Sequence, residues 1–138
     1  MRGKLAAAML VALLSMACGG PTDPSKNQVE PFTGSVQPNS FGDVHKFTIA
    51  SGGEIDIKVT NVSPGNVFLG LGYGQFTGGS CGLMQQTTVG NTGINRTAIS
   101  GQVVLKGDYC VIVFDPAGSL GIAPFPVAQN YTLTVSHP

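Results

Sequence analysis

The sequence predicts an all-β domain, a small antiparallel sandwich or barrel of about eight or nine short strands. Three observations carry this. Short period-two segments recur along the chain, divided by turn residues such as Ser51-Gly52-Gly53, Ser63-Pro64-Gly65, Gly90-Asn91 and Lys106-Gly107-Asp108. Gly, Thr, Val and Ser are abundant while charged residues make up only 10% of the chain, a mix that suits strands and tight turns. No segment offers a convincing amphipathic helix, and no internal repeat is evident.

The strands follow in order. Residues 32–36 open the series. Residues 43–50 place His45, Phe47 and Ile49 on one face. Residues 54–60 alternate most cleanly, with Ile55, Ile57 and Val59 on one side and Glu54, Asp56, Lys58 and Thr60 on the other. Residues 67–73 alternate too, but Gly70 and Gly72 occupy one face, which signals a bend or a close approach of something to the backbone. Residues 83–89, 94–99 and 102–105 are further strands. Residues 109–114 are apolar on both faces, as a central strand covered from two sides requires. Residues 130–136 close the series, with Tyr131, Leu133 and Val135 inward.

The N-terminus carries a different signal. Arg2 and Lys4 precede an apolar run over residues 5–17, the layout of a secretory signal peptide. A membrane-spanning helix needs about 20 apolar residues, so this run is too short to be an anchor. Ser15-Met16-Ala17-Cys18 resembles a bacterial lipobox, in which the cysteine is lipidated and becomes the mature N-terminus. Ser15 and Ala17 also suit an ordinary signal peptidase, which would leave Cys18 a free thiol. The expected organisation is a signal peptide at 1–17, a flexible tether at 18–28 and one domain at 29–138. The tether contains Pro21 and Pro24 and reaches at most about 35 Å. Resemblance to Gram-negative lipoproteins, with Gly19 after the cysteine, implies the outer membrane.

Three cysteines in an exported chain leave one unpaired. Lipid on Cys18 leaves Cys81 and Cys110 to form a disulfide in an oxidising compartment; the alternative is two separate buried thiols. Without a Cys-x-x-Cys, and with both histidines isolated in sequence, no zinc site is expected. Beyond the signal, Lys26, Lys46, Lys58, Arg96 and Lys106 face a slight excess of acidic residues. Nucleic acid is therefore not an expected partner. No polybasic stripe attracts anionic lipid either, so membrane attachment would rest on the acyl chains.

The spacing resembles that of bacterial pre-peptidase C-terminal domains. Gly34-x-Val36, Asp43-x-His45-x-Phe47-x-Ile49, Gly52 and Ile55-x-Ile57-x-Val59 match the first half. Val103-x-Leu105-x-Gly107-x-Tyr109-x-Val111-x-Val113 and Tyr131-x-Leu133-x-Val135 match the second. The resemblance spans residues 29–136. It implies a β-sandwich of jelly-roll type without catalysis of its own, usually attached to secreted enzymes, with relatives that bind carbohydrate, collagen or calcium. This chain departs from it in having no enzyme domain and in placing His45 where Tyr or Trp is usual.

Candidate chemistry is sparse. Nucleophilic catalysis needs a base, most often histidine. His45 falls on the core face, where a structural role is expected, and His137 is next to last and expected to fray. Glu54 and Asp56 share a solvated strand face, which reads as surface charge. Asp43, Asp108 and Asp115 sit at strand ends or turns and are weak calcium candidates, although Asp is also simply a good turn former. No other cofactor is implied.

Two stretches suggest ligand binding. Residues 115–129 are long for a hairpin loop and carry Leu120, Ile122, Phe125 and Val127, which either cap the sandwich or line a site. Tyr73-Gly74-Gln75-Phe76 either offers an aromatic platform with an amide for a sugar or forms a hairpin tip packed on its neighbour. The expected ligand residues are thus Tyr73, Gln75, Phe76 and Phe125. The expected function is a non-catalytic lipoprotein of the cell envelope that binds carbohydrate or protein. The alternatives are a structural envelope lipoprotein and a peptidase inhibitor on a similar sandwich.

Overall fold

The computed structural model describes residues 24–103 and 105–138; the signal segment, Cys18 and the first part of the tether lie outside them. After a 3-10 turn at Pro24–Lys26 come β1 (Gln28–Val36), β2 (Phe41–Ile49), β3 (Gly53–Ser63), β4 (Leu69–Thr77) and β5 (Ser80–Val89). A 3-10 turn at Asn91–Gly93 leads to β6 (Thr97–Val103), β7 (Gly107–Phe114), the single helical turn α1 (Ala117–Leu120) and β8 (Gln129–His137). Two antiparallel sheets result, ordered β1-β8-β3-β6 and β2-β7-β4-β5. The pairs β4–β5, β3–β6, β2–β7 and β1–β8 nest inside one another like one long hairpin rolled up, the strand order of a jelly roll.

Alternation builds the core. Ile55, Ile57 and Val59 of β3 and Leu133 and Val135 of β8 face Phe47 and Ile49 of β2, Leu69 and Leu71 of β4 and Val111 and Val113 of β7, all buried. An aromatic file runs through this layer. Tyr109 stacks on Tyr73 with ring centroids 5.8 Å apart, Phe47 lies beside both, and Phe32 bridges Phe47 to His45. Such pairs contribute about 0.5–1.5 kcal/mol each beyond the area they bury.

β7 is covered on both faces, and the cover on its outer side explains the glycines of β4. Gly70, Gly72 and Gly74 point outward from that strand. Phe114 of β7 lays its ring on Gly70, and Leu83 of β5 and Ile112 of β7 close over Gly72. At Gly74 the backbone of Gly82 crosses where a Cβ would stand. The β4–β5 register shifts beside Gly74, so the start of β5 folds over β4 toward β7. There Cys81 and Cys110 form a disulfide, their Cα atoms 5.8 Å apart.

Two expectations need correction. Residues 94–99 and 102–105 are not two strands. Asn95 takes a left-handed conformation (φ 65°) and donates its N–H to Val59 O, so residues 94–96 still turn. Gly101 then stays extended within β6, giving one strand in place of two. His137 does not fray. It continues the inward row of β8, is fully buried, and donates Nε2–H to Glu30 of β1 at 2.8 Å.

Candidate functional site

The connections β1–β2, β3–β4, β5–β6 and β7–β8 gather at one end of the sandwich. Two buried polar side chains organise this end. Asp115 accepts the backbone N–H groups of Asn39 at 2.8 Å, Phe125 at 2.9 Å and Ala117 at 3.0 Å, which joins the first connection to both limbs of the last. Gln129 accepts Gly65 N–H at 2.9 Å and donates to Val127 O at 3.1 Å, which joins the β3–β4 connection to the approach to β8. Charge-assisted bonds such as those to Asp115 contribute about 1.5–3 kcal/mol each, so these long loops are held in shape.

On this frame the chain exposes apolar side chains. Phe68, just before β4, leaves 58% of its surface in solvent. Its ring rests against Gly90, where a Cβ would press on it at 3.0 Å. A groove of about 270 Å³ lies on one side, lined by Val67, Ile122, Pro124 and Pro126. Another of about 240 Å³ lies on the other side, lined by Asn66, Asn91 and Thr92. The Asn66 and Asn91 side chains bond each other at 3.3 Å. Leu120, Ile122 and Val127 are exposed as well. Of the four large apolar side chains of the last connection, only Phe125 caps the sandwich, and Leu120, Ile122 and Val127 face solvent.

A larger groove of about 420 Å³ lies on the outer face of the β1-β8-β3-β6 sheet. Its polar groups are turned to one another: Glu54 accepts from Gln102, Asp56 from Thr97, and Asn27 bonds Glu54 O and Ser136. It offers a ligand less that is free than the loop end does.

The sequence-predicted residues are scattered. Tyr73 is 5% exposed in the core stack, and burial with Tyr109 alongside pushes its hydroxyl up to about 12. Phe125 is buried as the plug just described. Phe76 is half-buried on the outer face of β4, under the Lys46 ammonium, and Gln75 is exposed. These four form no common surface, and β4 runs on to Thr77, so the hairpin tip is Gly78-Gly79. Asp43, Asp108 and Asp115 do not converge either. Asp108 pairs with Lys46 at 2.7 Å and accepts from Thr48, which holds its carboxyl below the usual range. Asp115 is at the other end of β7, and Asp43 is exposed on β2. Among the described residues no group of three or more His, Cys, Asp or Glu side chains is placed to hold a metal ion.

His45 is half-buried. Its Nε2 shares a 2.8 Å hydrogen bond with the Tyr131 hydroxyl, which packs over Gly34. Burial holds His45 below the usual histidine range, with the Asp43 charge pulling the other way, and burial pushes Tyr131 up to about 12. The bond ties β2 to β8 across the two sheets.

Phe68 escaped the sequence reading, although a signal was present. It shares its strand face with Gly70 and Gly72, the face opposite Leu69 and Leu71, so alternation points it outward. Compared with models of protein families and with curated proteins, the chain matches none.

Proposed function

We propose that this chain is an exported, lipid-anchored binding module of the bacterial cell envelope, and that the loop end around Phe68 is its ligand surface. The carrying observation is an exposed aromatic ring on loops locked by two buried hydrogen-bonding hubs. A rigid, half-exposed aromatic side chain offers contact area with little conformational entropy to lose. The flanking Ile122, Pro124 and Pro126 favour an apolar segment of another envelope protein. The groove with Asn66 and Asn91 favours a second reading, a glycan stacked on Phe68 and bonded by the amides. In either case lipid on Cys18 would hold the domain at a membrane, most simply the outer one.

Kinship with pre-peptidase C-terminal domains is part of the proposal. Its support is the motif order from Gly34 to Val135, together with a strand order such sandwiches share with unrelated jelly rolls. Function is for that reason argued from the site.

The test compares wild type with Phe68→Ser. Glycan arrays address one reading, and crosslinking to envelope proteins in living cells the other. One ligand class should be retained by wild type and lost, by at least about tenfold, in the variant. A ligand held equally by both forms would place the binding surface elsewhere. Mass spectrometry of the N-terminal peptide settles the anchor, and an unmodified thiol on Cys18 would remove it.

A further inference from the structure

A strand at a sheet edge carries a row of unpaired N–H and C=O groups, and proteins blunt such edges with charge, proline, bulges or short length. This sandwich has four edges. β1 carries Glu30 and Pro31. β2 carries Asp43 and Lys46 and breaks register between Phe41 and Val44. β6 has neither charge nor proline, but its pairing with β3 breaks register between Ile57 and Lys58. β5 is 10 residues long and contains neither a charge nor a proline. Its first part is occupied by the bulge and the disulfide. From Gln85 to Val89 it pairs regularly with β4, and among the described residues no further backbone bond engages this stretch. Met84 is 62% exposed, and Gln85, Gln86 and Thr88 are exposed too.

We propose that β5 is a self-association edge, along which two copies of this chain pair antiparallel about a two-fold axis through Gln86. Side chains directly opposite in an antiparallel pair share a face, so the axis must pass through a residue and not between two. With the axis at Gln86, that residue meets its own copy and Gln85 meets Thr87. This chemistry matches itself. A carboxamide both donates and accepts, as does a hydroxyl, so Gln86 can bond Gln86 of the second copy, and Gln85 can bond its Thr87. A charged residue at the axis would face its own charge, and the charged β2 edge shows what β5 lacks. The outcome is isologous and closed: joining the two β5 edges removes both and leaves the charged β2 edges outermost.

So short an interface falls below the size of stable complexes, which makes the association weak in free solution. If the lipid anchor proposed above is present, confinement to one membrane raises the effective concentration of each copy for the other. The pairing itself is independent of the loop-end reading.

Position 86 supplies a charge-swap test. Sedimentation of protein purified from the envelope should show a reversible monomer–dimer equilibrium below about 1 mM. Hydrogen exchange should show added protection at high concentration for those amides of residues 85–88 that point away from β4. Gln86→Lys and Gln86→Glu should each weaken dimerisation at least about tenfold, because like charges then lie directly opposite. Mixing the two variants should restore pairing as a heterodimer. Residue 86 is exposed, so both variants should keep the wild-type melting temperature. A wild type that stays monomeric near 1 mM, a dimer protected elsewhere than β5, or a mixture that fails to pair would each overturn the proposal.

Discussion

The glycines of β4 and β6 should rank in a definite order when each is replaced by alanine. At Gly74 the new Cβ would lie 2.6 Å from the carbonyl carbon of Gly82 and 2.8 Å from Leu83 Cα, and closer still to the Gly82 oxygen. Those are backbone atoms, held by the β4 ladder and by the neighbouring Cys81–Cys110 bridge, so the hairpin must open locally. Overpacking a well-filled site costs about 1–3 kcal/mol, and the backbone obstacle places Gly74→Ala at or above the top of that range. At Gly70 the obstacle is the Phe114 ring, with Cδ2 at 2.6 Å. The ring can swing away but gives up burial, which makes the loss about 2 kcal/mol. At Gly72 the nearest atom is the end of a flexible Leu83 side chain at 2.9 Å, so the loss should stay below about 1 kcal/mol. At Gly101 nothing lies within 4 Å, and alanine should be neutral or slightly stabilising by restricting the unfolded chain. Urea unfolding with the disulfide intact reads the series, with unchanged m-values as the check that the denatured state is the same. If Gly74→Ala unfolds within about 0.5 kcal/mol of wild type, or Gly72→Ala proves worse than Gly70→Ala, the close packing ascribed to this face is wrong.

Replacing both Cys81 and Cys110 with alanine should remove about 3–4 kcal/mol in the chain-entropy model for a bridge with a sequence separation of 29, read from unfolding midpoints. Asp115→Asn leaves one side-chain oxygen for three backbone donors and should cost about 2–4 kcal/mol. Limited proteolysis should then cut first within residues 116–128, and cleavage that begins elsewhere would contradict the hub role. Stability should plateau between about pH 6.5 and pH 10. His45 is held low in the fold, so its contribution is full above about 6.5 and is lost as pH falls through its lower folded value. Tyr73 and Tyr131 are raised to about 12, so theirs is full below about 10 and is lost as pH rises toward 12. Thermal melts across pH, repeated on His45→Phe, test the acid limb, which should flatten in the variant.

Much of this was legible in the sequence because alternation is a local property. The period of two located every strand but one, and it indicated that β7 is covered twice. It also placed Tyr73 on the inward face with Leu69 and Leu71, and His137 inward with Tyr131, Leu133 and Val135. Reading Tyr73 as a ligand platform and His137 as frayed set that periodicity aside, and the structure restores it. The glycine row signalled a close approach without identifying what approached, because Phe114 lies far from it along the chain and Leu83 reaches it through the register shift of the β4–β5 hairpin. The hubs were not legible at all. Nothing near Asp115 or Gln129 announces that their partners are Asn39 and Gly65, and local turn chemistry explains an aspartate in a loop equally well.

The closure of the β4 face also decides where this molecule can meet another. An open, side-chain-lined sheet face would be the simplest ligand surface on a sandwich, but the outer face of β4 and β7 is filled by Phe114, Leu83 and the bridge. The opposite outer face presents Thr33, Thr132, Thr134 and Lys58 beside a groove whose polar groups bond one another, and it has no aromatic anchor. Binding energy concentrates in a few well-packed aromatic or charged anchors. Two surfaces are on offer in the readings above: the loop end, where Phe68 stands on a braced frame, and the β5 edge, where the backbone itself is available. The two adjoin near Gly90 but use different chemistry, so Phe68→Ser should leave self-association intact and Gln86→Lys should leave ligand retention intact. Loss of both properties in either variant would mean that the two surfaces are one.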